Sequence, residues 1–398
     1  MANPYKELFS VPGTIAFSLA GLVARMPISM TGIGIITMLS QMKGSYWLAG
    51  TVAATFTFTM ALIAPQISRA VDRYGQSRVL PIATGISVIS IALLLLCAHY
   101  GAPDWTLFIF AALSGCMPSM PAMVRARWTE IHRGTPRLHT AYSFESVLDE
   151  VCFIIGPPIS VGLSIAVMPE AGPLMSAIFL AVGVMVFVMQ KSTEPPVHQE
   201  SDISKESALK PLPMKMLVLA LIALGTIVGT IDVISVAFAE QQGQPVAASI
   251  VLSVYAVGSC LAGLAFGAYK LNASLPKQFL IASFATAAMT LPLFYVYDIA
   301  TLSASVFAAG IFFAPTMIIA MGLVESIVPS SKLTEGLTWM ITGLGIGVAM
   351  GAAVAGWVID EFGVKAGFMV TIASGMTVLL IAIACYRLLQ RRMVLETA

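Results

Sequence analysis

Three carboxylates stand close together in a stretch that is otherwise built to avoid charge. Residues 141–164 read AYSFESVLDEVCFIIGPPISVGLS, with Glu145, Asp149 and Glu150 in the first half. On a helix, Glu145 and Asp149 are four apart and share a face with Cys152 and Gly156, while Glu150 lies about 100° round. The run is long and apolar enough to cross a bilayer, where each charged side chain costs about 2.5–3.5 kcal/mol on insertion scales. Arg25, in Arg25-Met26-Pro27, is the one basic residue inside any apolar run and falls about halfway along the first of them. The chemistry open to such a set is proton loading. A carboxylate beside a cation stays ionised, and a second one desolvated next to it takes up and gives back a proton near neutral pH. Asp232, in Gly229-Thr230-Ile231-Asp232, is the one acid deep in the second half and has no basic residue near it in sequence. It reads as a second proton site or as a contact for a cationic substrate.

The elements that must carry these residues are set by composition. Of 398 residues, 58% are hydrophobic and 10% charged, and mean hydropathy is +0.89. Soluble domains are about a quarter charged, so this is a polytopic integral membrane protein. A net charge of +1 leaves no nucleic-acid footprint. Cys97, Cys116, Cys152, Cys260 and Cys385 lie in apolar segments without metal-ligand spacing or a disulfide framework. No phosphate-cradling Gly-x-x-x-x-Gly-Lys-Ser/Thr occurs, so energy does not come from ATP bound to this chain. His99, His132, His139 and His198 sit at membrane edges or in loops, away from any nucleophile. We therefore expect neither an enzyme nor a resident metal or cofactor.

Twelve apolar runs reach the ~20 residues that a spanning helix needs. They centre on 14–39, 46–68, 79–99, 105–124, 141–167, 172–190, 214–239, 246–268, 279–297, 301–327, 335–360 and 366–386. Without strand-like alternation, helices are the spanning element. Of the 21 Lys and Arg, all but Lys43, Lys365 and the intramembrane Arg25 fall on one side, which puts both termini in the cytoplasm. The first run is read as a retained helix, not a cleaved leader. Residues 191–213 are rich in Pro, Ser, Glu and Lys and read as a cytoplasmic linker between a six-helix bundle at 1–190 and another at 214–398. A shift of 195 residues overlays span five on span eleven, with Gly156 on Gly351. Two such repeats are the layout of a transporter whose halves rock about a central site.

The loop between spans two and three sharpens this. Ser-Arg-Ala-Val-Asp-Arg-Tyr-Gly-Gln-Ser-Arg at 68–78 resembles the loop signature of the major facilitator superfamily, Gly-x-x-x-Asp-Arg-x-Gly-Arg-(Lys/Arg). Asp72, Arg73 and Gly75 match, Ser68 stands for the leading Gly, Gln76 replaces the first basic residue, and Arg78 supplies a charge one position late. The resemblance implies an inner gate at Asp72, Arg73, Gly75 and Arg78. Gly75 makes the tight turn, and Asp72 can take a cation or a helix N-terminus when the inner side closes. Span five is similar to the family's antiporter signature, Gly-x-x-x-Gly-Pro-x-x-Gly-Gly. Gly156-Pro157 fits, while Cys152, Ser160 and Val161 occupy the other glycine places. Gly156-Pro157-Pro158 is expected to interrupt regular helix bonding and bend the span.

In that fold spans one and five are neighbours, so Arg25 is expected to pair with Asp149 or Glu150. Glu145, one turn nearer the cytoplasm, is expected to be a gate or a solvated edge residue. Spans one, four, seven and ten line the cavity of such transporters, which makes Met117, Met120, Phe312 and Phe313 cavity candidates, with Trp339 and Met340 from span eleven. Methionine and aromatic walls suit varied apolar ligands because they repack. Gly343, Gly347 and Gly351 form a Gly-x-x-x-Gly series that is expected to let the two halves slide. The resemblance implies a twelve-helix transporter of the drug:proton antiporter branch, acting as a monomer in a bacterial inner membrane. It would export a small organic molecule against protons, with the proton gradient as its source of energy. Uptake of an organic anion with protons, through Arg25, is the second transport reading. A membrane sensor or scaffold that moves nothing is a reading of another class.

Overall fold

The structure is a computed structural model, and it describes residues 8–132, 135, 137–196, 209–268, 273–328 and 333–396. The centre of the expected linker, 197–208, lies outside the described residues, as does the side chain of Asp72. Among the described residues there is no strand, and fourteen α-helices carry the chain: α1 Thr14–Arg25, α2 Pro27–Lys43, α3 Tyr46–Tyr74, α4 Gln76–His99, α5 Asp104–Ser114, α6 Met120–His132, α7 Arg137–Ala166, α8 Ala171–Met189, α9 Leu212–Gln241, α10 Ala247–Ala268, α11 Leu275–Thr290, α12 Ile299–Ile327, α13 Leu333–Phe362 and α14 Val364–Glu396. Ten stretches are long and apolar enough to span a bilayer, and Asp104–Ser114 and Ala247–Gly263 are shorter apolar helices. They account for twelve spans, with span one made of α1 and α2 and span four of α5 and α6.

Two spans depart from the continuous helices expected. Span one changes helix at Met26, because Pro27 has no N–H to continue the ladder. Span four is broken outright. Residues 115–119 are not helical, since Pro118 removes a donor and disfavours helical backbone before it. The carbonyl of Ser114, freed at this break, accepts the hydroxyl of Ser87 at 2.6 Å. A broken backbone within a membrane survives only with such replacement bonds. Met117, Met120 and Met123 therefore do not form one helical stripe. By contrast, α7 runs as one helix from Arg137 to Ala166 with Pro157 and Pro158 inside it.

The chain forms two units. One comprises Met1–Met42 and Phe58–Ile203, the other Lys43–Thr57 and Ser204–Ala398. The long helix α3 contributes its first three turns to the second unit and the rest to the first.

Within the first unit, α7 lies against span one through small groups. A Cβ on Gly156 would come within 2.0 Å of Ser29 Oγ. In place of that side chain, Ser29 donates to the carbonyl of Cys152 at 2.7 Å, and Ser160 donates to that of Met30 at 2.9 Å. Gly156 is thus a contact point between spans one and five.

Within the second unit, α13 packs along α9 backbone to backbone. A Cβ on Gly347 would lie 1.9 Å from the carbonyl oxygen of Ile222, and one on Gly351 would lie 2.2 Å from that of Thr226. The small-residue series of span eleven binds a helix of its own unit, which corrects the expectation of a sliding surface between halves. Its partner α9 carries the matching pair Gly225 and Gly229, which approach Leu344 and Val348 as closely. Gly-x-x-x-Gly spacing on both helices is what lets carbonyls and Cα–H groups meet at this distance.

Candidate functional site

The intramembrane charges of the first unit converge on Arg25. Its guanidinium forms an ion pair through Nη2 with Glu145 Oε2 and through Nη1 with Asp149 Oδ1 at 2.8 Å. Nη1 also reaches the backbone carbonyl of Glu145 at 3.3 Å, and Nε donates to that of Gly21 at 3.2 Å. The helix break one residue later leaves Arg25 in the last turn of α1, where it can hydrogen-bond back to Gly21 and forward to α7.

Glu145 is sealed. Its side chain is 0% exposed and that of Arg25 1%. Besides Arg25, it accepts the indole N–H of Trp128 at 2.7 Å and the hydroxyl of Ser18 at 3.3 Å, both on Oε1. Trp128 is held by aromatic edges of Phe17 at 4.7 Å and Phe9 at 5.8 Å and stacks on His132. The solvated edge expected for Glu145 is corrected: it is the most enclosed acid of the cluster. A carboxylate taken out of water needs several donors to hold its charge, and α1 and α6 supply them.

Asp149 is the open end. It is 24% exposed and bridges two guanidiniums, with Oδ1 on Arg25 and Oδ2 on Nη2 of Arg125 at 2.5 Å. Arg125 comes from α6 and is 29% exposed. Of the two partners expected for Arg25, the structure contains Asp149. Glu150 is half-buried and has no hydrogen-bond or ion-pair partner among the described residues. In the second unit Asp232 is also half-buried and also has no such partner among the described residues.

Arg25 is not the one buried cation that its place in the apolar runs led us to expect. Arg127 is 0% exposed. Its Nε donates to Gln76 Oε1 at 2.8 Å, and its Nη1 donates to the Gln190 carbonyl and to Thr193 Oγ1, both at 2.8 Å. Its guanidinium stacks 3.8 Å from the ring centre of Phe187. Gln76 completes the knot by donating to the Met123 carbonyl at 3.1 Å. The substitution of Gln76 for a basic residue in the loop signature was the visible signal: a second cation there would repel Arg127.

The remaining candidates are distributed as follows. Gly75 has φ 89°, a backbone state open to glycine, and begins α4. Arg73 and Arg78 are exposed, and Arg73 lies over the ring of Tyr74 at 5.4 Å. Met117 and Met120 are buried inside the first unit. Phe312, Phe313 and Trp339 are half-buried and Met340 is fully buried in the second, where Phe313 lies 6.0 Å from Tyr255. A small apolar crevice there is lined by Ile231, Ile234, Ser235, Leu302 and Phe368 and by none of these candidates.

Comparison with known proteins agrees with this architecture. The family model described as Major Facilitator Superfamily matches residues 17–269 and 216–396. Comparison with curated sequences found no significant match. Among solved structures, the nucleoside transporter NupG superposes with a TM-score of 0.67 at 15% identity, covering 94% of this chain and 98% of that one. A POT family transporter in complex with a thioalcohol-conjugated peptide gives 0.72 at 11% identity, covering 94% and 95%. A bacterial homologue of the iron transporter ferroportin, in its inward-facing state, gives 0.70 at 15% identity, covering 94% and 98%. At these identities the likeness is one of fold. With its family model covering both halves of the sequence, the chain is a multi-pass membrane transport protein that belongs to the major facilitator superfamily.

Proposed function

We propose that this chain exports a small organic molecule in exchange for protons by alternating access, and that Glu150 is the group that loads the proton. The observation that carries the proposal is a surplus of one negative charge. Arg25 and Arg125 are matched by Glu145 and Asp149. Glu150, next in sequence to Asp149 and without a partner among the described residues, has nothing to offset it. In an apolar setting an isolated carboxylate is far more costly than a neutral acid. A proton is the counterion it can take and release as access to water alternates.

The second acid adds the exchange. Asp232 has no cation paired with it among the described residues, so a proton or a cationic group on the substrate can satisfy it, but not both at once. Such mutual exclusion is the simplest physical basis for antiport. The membrane potential supplies ~2.3 kcal/mol per charge per 100 mV, and the pH difference adds to it. Arg25 and Glu145 serve as the fixed part, keeping spans one and five in register while the open end at Asp149 and Glu150 changes charge.

One observation favours a second reading, proton-coupled uptake of an organic anion. Two guanidiniums converge on separate oxygens of Asp149. If Asp149 itself took the proton, both would be left for a carboxylate of the substrate, and anion and proton would travel together. Proteoliposomes with an imposed pH gradient and a panel of cationic and anionic substrates separate the two. Opposed fluxes of a cationic substrate and protons support exchange, whereas parallel fluxes of an anion and protons support uptake.

A further inference from the structure

Span two begins in a different unit from the one it ends in, and its first turn is capped from far along the chain. Asp360, near the end of α13, accepts the backbone N–H of Tyr46 on Oδ1 at 3.1 Å, and on Oδ2 the N–H of Trp47 at 2.7 Å and the hydroxyl of Ser45 at 2.9 Å. The phenol of Tyr46 donates to Glu240 Oε2 at the end of α9. Nothing bulky separates the backbones. A Cβ on Gly356 would lie 2.4 Å from the Tyr46 carbonyl oxygen, and one on Gly50 would lie 2.4 Å from that of Ala352. An N-cap is ordinarily supplied by the residue that precedes the helix. Here a carboxylate more than 300 residues away takes the open N–H groups of α3, at the end where the helix dipole favours an anion.

The local cap is nonetheless present. Ser45 Oγ accepts the N–H of Leu48 at 3.2 Å. If Asp360 withdrew, Ser45 would still cap α3, and water would take the N–H groups of Tyr46 and Trp47. Asp360 is exposed and Ser45 half-buried, so water already competes for these bonds. The helix end can thus be held or released without unravelling.

We propose that Asp360 is the outer latch of the transport cycle, a positioning residue that keeps residues 43–57 on the second unit and must let go of them for outward opening. Its neighbours Tyr46 and Glu240 add a second bond to the same latch. The idea is independent of which acid carries the proton.

Hydrogen–deuterium exchange on the full chain in nanodiscs, without substrate, tests it. Asp360→Ala should raise exchange by about tenfold, the range of a lost cap. The rise should extend through all of 46–57 and the facing stretch 349–359 of α13, because both surfaces open together. Asp360→Asn, which keeps an acceptor oxygen, and Tyr46→Phe should fall in between and guard against misfolding of the alanine variant. A rise confined to 46–48, or none, in all three variants would overturn the latch and leave an ordinary cap.

Discussion

Arg25 and Glu145, 120 residues apart in sequence, form an ion pair that solvent does not reach. The pair fastens span one to span five at the point where span one changes helix. Breaking a buried pair by removing one partner costs about 3–5 kcal/mol, because the other charge stays behind. Arg25→Met and Glu145→Gln should each sharply lower the unfolding temperature of the purified protein in nanodiscs. The double variant Arg25→Met with Glu145→Met should recover most of the loss, as measured by thermal unfolding of all three against wild type.

Trp128 gives a milder version of the same test. Trp128→Phe keeps the ring that packs on Phe17 but leaves Glu145 Oε1 without its indole donor. Ser18 still donates to that oxygen, and a buried carboxylate that loses one donor costs about 1–3 kcal/mol, so the drop in unfolding temperature should be smaller than for Arg25→Met.

Asp149 and Glu150 are adjacent but differently held, and their variants should differ in kind. Glu150→Gln removes a charge that has no partner among the described residues, so it should leave stability equal or improved while lowering proton-driven transport at least tenfold. Asp149→Asn strips two guanidiniums of their shared anion and should cost stability as well as transport. Unfolding temperature and flux, measured on the same preparations, separate the two cases.

The glycines divide in the same way. Gly347→Ala would force a methyl against the Ile222 carbonyl and should destabilise by about 1–3 kcal/mol, the range for overpacking. Gly85, in the middle of α4, has no heavy atom within 4 Å of a Cβ position. Gly85→Ala should stabilise by up to about 1 kcal/mol through helix propensity alone. Thermal unfolding of the two variants side by side reads the sign.

The spans were legible in the sequence because lipid leaves helix as the element for a long apolar run. The break in span four was less so. Pro118 was visible, but mean hydropathy counts it as one residue among twenty and does not register that it removes a backbone donor. The charge cluster was legible in its members and not in its pairing. Which acid meets Arg25 depends on the rotation of α7 against α1, and Glu145 sits on the same face as Asp149, one turn away. Arg125 was missed because α6 restarts at Met120, which resets the face it presents. The glycine series of α13 was legible as a close contact. Its partner was also in plain sight, as Gly225 and Gly229 at the same spacing on α9.

The central claim is that Glu150 carries the proton exchanged for substrate. The most direct measurement is simultaneous proton and substrate flux in proteoliposomes under an imposed pH gradient, for wild type and Glu150→Gln. Protons should move opposite to substrate in the wild type, and the glutamine variant should lose proton-driven transport while still unfolding at the wild-type temperature or above. Protons moving with the substrate, or full coupling in Glu150→Gln, would contradict it.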